Sequence, residues 1–191
     1  MNLPNQLSFL RLFLSGVLLF LIPAPGLAAK ASSFVIFVIA SLTDYYDGKI
    51  ARAQNLITPL GRFIDPVADK ALTFSAIIGF YLMRIIPLWM VAAIVARDLL
   101  ITGLRLRMPQ ESKAIQAQSS GKHKTVIQFS AIILIQIYLI VRETAVWNDA
   151  WTGSSLNIIY GVMCFVVVNT IYSGALYIFI NRHNFTGRRS K

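Results

Sequence analysis

Six stretches of this chain are apolar over lengths that approach the thickness of a lipid bilayer: about 7–25, 31–52, 64–85, 87–107, 124–142 and 155–180. A spanning helix needs about twenty mostly apolar residues, and it must pair its backbone N–H and C=O groups internally because hydrocarbon offers no partner. The pattern predicts an all-α integral membrane protein with six transmembrane helices. It forms one domain over residues 1–191, and MNLPNQ precedes the first helix as a short interfacial segment. Composition agrees: 56% of residues are hydrophobic and 14% charged, against about a quarter charged in a soluble domain. The first stretch lacks a basic leader and a small-residue cleavage site, so it reads as a retained span. Pro23, Pro25 and Gly26 end it. Asn55–Pro59 separates spans two and three, Pro87 opens span four, and residues 108–121 form the longest polar connection. Thr152 to Ser155 are expected to cap the last span.

The net charge of +10 is mainly a statement about topology. With the N-terminus inside, the cytoplasmic segments receive Lys49, Arg52, Arg62, Lys70, Arg105, Arg107, Lys113, Lys122, Lys124, Arg182, Arg188, Arg189 and Lys191. The opposite side receives Lys30, Arg84 and Arg142, a strong positive-inside bias. Six spans return the basic tail to the cytoplasm, so both termini are expected there. Basic residues dispersed among membrane-length apolar runs do not make a nucleic-acid surface. The one cysteine, Cys164, excludes an internal disulfide and a cysteine-rich metal site, and reads as a small buried hydrophobe.

The acidic residues carry the chemistry. Only six aspartates and two glutamates occur, and Asp44, Asp47, Asp65 and Asp69 fall where span two ends and span three begins. An aspartate at the centre of a membrane helix costs roughly 2.5–3.5 kcal/mol on insertion scales, and four together repel one another unless cations join them. Asp44 and Asp47 are three apart and Asp65 and Asp69 four apart, so each pair shares a helix face. The short connection makes the helices antiparallel neighbours, and the two faces can converge. Hard oxygen ligands in that number suit Mg²⁺ or Mn²⁺, two ions better than one. Gly48 and Gly61 leave room for a bulky ligand, Ala51 sits one turn from Asp47, and Arg52 is within reach of a bound phosphate. The bland alternative is an ion-pair network in which Lys49, Arg52, Arg62 and Lys70 neutralise the four aspartates.

Written out, the segment is Asp44-Tyr-Tyr-Asp47-Gly48-Lys-Ile-Ala51-Arg52, eight residues, Gly61, three residues, Asp65, three residues, Asp69. Every defined position and spacing resembles the signature of the CDP-alcohol phosphotransferase family, and six membrane helices in a chain near this length resemble it too. The resemblance implies transfer of a phosphatidyl or similar group from a CDP-linked lipid to an alcohol, with release of CMP. It implies that Asp44, Asp47, Asp65 and Asp69 hold two metal ions and that Asp69 is the catalytic base. It places Asp44, Gly48, Ala51, Arg52 and Gly61 around the CDP group, and it suggests a homodimer. Breaking a pyrophosphate calls for charge neutralisation at the leaving phosphate, and an alcohol nucleophile benefits from a nearby carboxylate base.

A second cluster bears on the acceptor. Arg97 and Asp98 interrupt the fourth span, and Arg105 follows eight residues later, about 80° around the helix. Gly121-Lys122-His123-Lys124-Thr125 opens the fifth span. Cations beside a carboxylate site suit an anionic ligand, so Arg97, Arg105, Lys122 and Lys124 are expected to bind the phosphate of the acceptor. The opposing reading assigns Arg105, Arg107, Lys122 and Lys124 to topology and lipid contacts, with Arg97 paired to Asp98 or to a carboxylate of the aspartate cluster. The opening Asn2-Leu3-Pro4-Asn5-Gln6-Leu7-Ser8-Phe9-Leu10-Arg11, Arg97-Asp98 with Gly103-Leu104-Arg105, and Gly121 to Thr125 with Gln128 resemble the branch of the family that acts on glycerol 3-phosphate.

The resulting expectation is CDP-diacylglycerol plus sn-glycerol 3-phosphate giving phosphatidylglycerophosphate and CMP. It would take place at the cytoplasmic side of the bacterial cytoplasmic membrane, among membrane lipids. Alternatives are branches that use inositol phosphate or phosphatidylglycerol as acceptor. A divalent-cation transporter is a remote one, since transporters favour midplane sites and internal repeats.

Overall fold

The computed structural model describes the backbone of residues 3–54, 59–107, 115–144, 148 and 150–185. It describes the side chains in those ranges except at 3–5, 44–54, 59–66, 69, 105–107, 115–123, 150 and 183–185. Six helices follow one another: α1 Leu3–Leu21, α2 Leu27–Gln54, α3 Pro59–Leu82, α4 Leu88–Arg107, α5 Ile115–Arg142 and α6 Ala150–Phe185. Among the described residues there is no strand.

Among the described residues, two helices are long and apolar enough to cross a membrane, over Lys124–Arg142 and Trp151–Arg182. The described parts of α1, α2 and α3 add apolar segments at Gln6–Leu21, Leu27–Thr43 and Lys70–Leu82. The outer surface is apolar as well. Phe20 is 76% exposed and Phe13 68% on α1, and Ile158, Val168, Tyr172 and Phe179 are exposed along α6. Aromatic and branched side chains in such density suit contact with lipid rather than water.

Three boundaries differ from the sequence expectation. The N-terminal segment is the first turn of α1 from Leu3 rather than a separate interfacial element. Proline is tolerated there because the N–H it lacks has no intrahelical acceptor in the first turn. α5 starts at Ile115, so part of the polar connection is helical. Thr152 to Ser155 lie inside α6, which begins at Ala150. The Ser155 hydroxyl donates back to the Trp151 carbonyl at 2.8 Å, an interior pattern rather than a cap.

α3 packs most extensively on α1 and also meets α2, α4 and α5, while α6 lies against α4 and α5. The buried core runs through Leu18, Phe37, Phe80, Met90, Ile94 and Ile135; Cys164 is half-buried at its margin. Gly79 permits the close α1–α3 approach, since a Cβ there would stand 2.8 Å from Ile22 Cγ2 and 2.9 Å from Ile22 Cβ. The end of α3 is a Schellman turn. Ile85 N–H donates to Phe80 O at 3.0 Å and Arg84 N–H to Tyr81 O at 2.8 Å. Arg84 takes the left-handed position, with φ 57. At the end of α1 the Lys30 ammonium, 1% exposed, donates to Ile22 O at 2.6 Å and Ala24 O at 2.8 Å. These carbonyls follow a helix terminus and have no intrahelical donor.

Candidate active site

The continuous helix α2 carries Asp44, Asp47, Gly48, Ala51 and Arg52 in its C-terminal part, and α3 carries Gly61, Asp65 and Asp69 in its N-terminal part. Each aspartate pair is thus one turn apart on an unbroken helix. The side chains of these eight residues lie outside the described residues, as do those of Arg105 in α4 and Lys122 in α5. Arg97 and Lys124 are described, and the structure brings them together around Asp98.

Asp98 sits mid-way along α4 and is 1% exposed. Lys124 of α5 donates to both of its carboxylate oxygens, at 2.6 and 2.7 Å. Arg97 Nη1 donates to Oδ1 at 3.1 Å, and Lys70 of α3 reaches Oδ2 at 3.4 Å. An ionised carboxylate has about four lone-pair sites, and these four contacts fill them. Among the described residues one anion therefore serves three cations, leaving two formal positive charges uncompensated there.

Arg97 is held from a second side by α6. Its Nε donates to the Thr170 carbonyl at 3.1 Å and its Nη2 to Ser173 Oγ at 2.8 Å. A Cβ on Gly174 would lie 3.1 Å from Arg97 Cγ and 3.2 Å from Nε, so the glycine lets the guanidinium lie flat against the helix. Among the described residues three of the five guanidinium N–H groups are engaged, which leaves one on each Nη for another acceptor.

Of the two partners that the topology reading offered Arg97, the structure shows Asp98, and Lys124 joins the same carboxylate. Sequence reasoning missed three contributions: Lys70 as a partner of Asp98, the α6 seat of Thr170, Ser173 and Gly174, and the convergence of α3, α4, α5 and α6 on one ion cluster. Ser173 and Gly174 stand 76 and 77 positions after Arg97 in an apolar run, and nothing local marks them as its neighbours. Among the described residues no group of three or more His, Cys, Asp or Glu could hold a metal ion; the four aspartates of the signature lie outside them.

Comparison with known proteins agrees with the signature. Residues 1–166 match the family described as CDP-alcohol phosphatidyltransferase. The CDP-diacylglycerol–glycerol-3-phosphate 3-phosphatidyltransferase of Bacillus subtilis (strain 168) is 35% identical over 148 residues, 70% of this chain and 77% of that protein. The protein of the same name from Rickettsia typhi is 33% identical over 180 residues, covering 90% of this chain and 99% of its own length. A cardiolipin synthase (CMP-forming) of Streptomyces coelicolor is 34% identical over 104 residues, 53% of this chain and 48% of that protein. With the signature on α2 and α3 and the match running through five of the six helices, the chain belongs to the CDP-alcohol phosphatidyltransferase family.

Proposed function

We infer that this chain transfers the phosphatidyl group of CDP-diacylglycerol to sn-glycerol 3-phosphate, giving phosphatidylglycerophosphate and CMP. The observation that carries the reading is the similarity to relatives named for this reaction, near full-length for the Rickettsia typhi protein, in a chain that keeps every position of the signature. An acceptor hydroxyl oxygen forms the new bond to the phosphorus that bears diacylglycerol. The bond from that phosphorus to the bridging oxygen breaks, and CMP leaves with the bond's electrons.

The chemistry of the donor set fits Mg²⁺ or Mn²⁺. Asp44, Asp47, Asp65 and Asp69 supply hard oxygens from two successive helices, enough for two ions. Bound there, the ions would neutralise charge developing on the pyrophosphate. Asp69 takes the proton of the acceptor hydroxyl, while Asp44, Gly48, Ala51, Arg52 and Gly61 surround the CDP group. Arg97, Arg105, Lys122 and Lys124 form the pocket for the acceptor phosphate. What supports this pocket is the surplus of cation over anion around Asp98 among the described residues, together with the two guanidinium N–H groups that these residues leave to Arg97.

The proposal extends to architecture. All six helices cross the bacterial cytoplasmic membrane as one domain over residues 1–191. Both termini and the site lie on the cytoplasmic side, and the working unit is a homodimer. The test is an acceptor screen with purified protein, CDP-diacylglycerol and Mg²⁺, offering glycerol 3-phosphate, inositol phosphate, inositol, serine and phosphatidylglycerol. CMP release is expected with glycerol 3-phosphate; release with phosphatidylglycerol in its place would move the chain beside the Streptomyces relative.

A further inference from the structure

The three cations around Asp98 are not held alike. Lys124 is 3% exposed and makes two short contacts to the carboxylate. Arg97 is 14% exposed and is fixed on both sides, by Asp98 and by α6. Lys70 has a side chain 30% exposed and a single contact to Asp98 at 3.4 Å, well beyond the 2.7–2.9 Å usual for a charge-assisted hydrogen bond. Its ammonium has three donors, and the carboxylate already has its closer partners.

Lys70 lies midway along α3, and the helix from there to Leu82 is apolar. A partly open ammonium on such a helix is costly against hydrocarbon, and it calls for water or an anion instead. Its backbone directly follows Asp69 on α3, so Lys70 joins the signature to the cation cluster. Lysine suits this place because its point charge on a flexible stem can change partners, which a planar guanidinium held at three nitrogens cannot do as readily.

We propose that Lys70 is a substrate phosphate-binding residue whose ammonium leaves Asp98 to hold a phosphoryl group. The inference rests on the phosphatidyltransfer reading. The phosphoryl group belongs either to the acceptor ester or to the pyrophosphate of the CDP-linked donor; the chemistry is the same, and kinetics separates the two.

The experiment uses the full chain purified in detergent, with Lys70→Gln and Lys70→Arg beside the unaltered protein. Lys70→Gln is expected to raise KM for one phosphate-bearing substrate about ten- to a hundred-fold, the loss of a charged hydrogen bond. Lys70→Arg, which keeps the charge but not the flexible point-charge geometry, should recover part of it. A rise confined to sn-glycerol 3-phosphate assigns the acceptor ester, and one confined to CDP-diacylglycerol assigns the pyrophosphate. The Mg²⁺ concentration for half-maximal rate should stay put. Unchanged KM for both substrates overturns the proposal, as does a fall in kcat that tracks a shifted Mg²⁺ requirement, which would make Lys70 a support for Asp69.

A measurement on the unaltered protein covers the case in which Lys70→Gln does not fold. Acylation of Lys70 by an amine-reactive ester, read by peptide mass spectrometry, should be suppressed by saturating glycerol 3-phosphate or CDP-diacylglycerol. Labelling that neither substrate changes overturns the assignment. Failure of the phosphatidyltransfer reading itself would show separately, as no CMP release by the unaltered protein with glycerol 3-phosphate.

Discussion

Replacing Asp98 by asparagine removes the one described counter-charge of three cations while keeping nearly the same volume. Asp98 is 1% exposed and takes Lys124 at 2.6 and 2.7 Å, Arg97 at 3.1 Å and Lys70 at 3.4 Å. The amide oxygen of Asp98→Asn can still accept from one side, but its NH₂ presents donors to a group that already consists of donors. Breaking a buried pair by removing one partner costs about 3–5 kcal/mol, chiefly because the surviving charge stays buried without compensation. At about 1.4 kcal/mol per decade, the folded-to-unfolded ratio falls by roughly two to three and a half orders of magnitude. Lys124 is the most enclosed of the three cations, at 3% exposed, so it carries the largest share. Adding Lys124→Met to Asp98→Asn should therefore return part of the loss, with a coupling of about 1–3 kcal/mol. The assay is SDS-induced unfolding of the purified protein in mixed micelles, followed by tryptophan fluorescence. A midpoint for Asp98→Asn equal to the parent's, or a double variant whose losses simply add, would refute the reasoning that this carboxylate organises the bundle.

Four further outcomes are expected. Gly174→Ala puts a methyl 3.1 Å from Arg97 Cγ; lifting the guanidinium off α6 should raise KM for glycerol 3-phosphate several-fold while leaving that for CDP-diacylglycerol nearly constant, measured by CMP release. Gly79→Ala meets Ile22 Cγ2 at 2.8 Å and Cβ at 2.9 Å, atoms close to the α1 backbone, so the helices must part and thermal melts should report a loss of about 1–3 kcal/mol. Arg84→Gly relieves a left-handed residue at φ 57 and should stabilise by about 0.5–1 kcal/mol in the same melts, a gain reduced by the greater freedom of glycine in the unfolded chain. Asp47→Asn and Asp65→Asn should each abolish turnover with melts unchanged, and full activity in excess chelator would remove the metal from the mechanism.

The helices were legible because their signal is local. Apolar runs bounded by Pro23, Pro25, Gly26 and Pro87 mark where a chain in lipid can and cannot continue, and all six helices stand near those bounds. The ends moved where a local rule met a stronger one. Thr152 to Ser155 have the composition of a cap, yet backbone pairing continues through them because Trp151 N–H already bonds to Asn148 O at 2.9 Å. The aspartate signature was legible for a different reason: eight fixed positions within 26 residues are a pattern that composition does not produce. The Asp98 cluster was half legible. Arg97 and Asp98 are conspicuous in an apolar span, and Lys124 is conspicuous at the head of the next. Lys70, Ser173 and Gly174 belong to the same cluster only through helix packing, and packing between distant helices leaves no trace in local spacing.

The same cluster has a consequence for how the protein is made. Chain order delivers α3 with Lys70 first, then α4 with Arg97 and Asp98 side by side, then α5 with Lys124, and last the α6 seat. When the ribosome releases α4, the carboxylate therefore already has a cation beside it on its own helix and another on the helix before. If α3 and α4 cross the membrane as proposed, Asp98 need not enter the bilayer alone, and a nascent chain that stops after α4 keeps two of its three ion pairs. Lys124 is the charge that arrives once its counter-ion is in place, so insertion of α5 is drawn toward a waiting anion. Moving Asp98 to α6 would, in the proposed six-span topology, bring three cations into the membrane before the carboxylate that joins them.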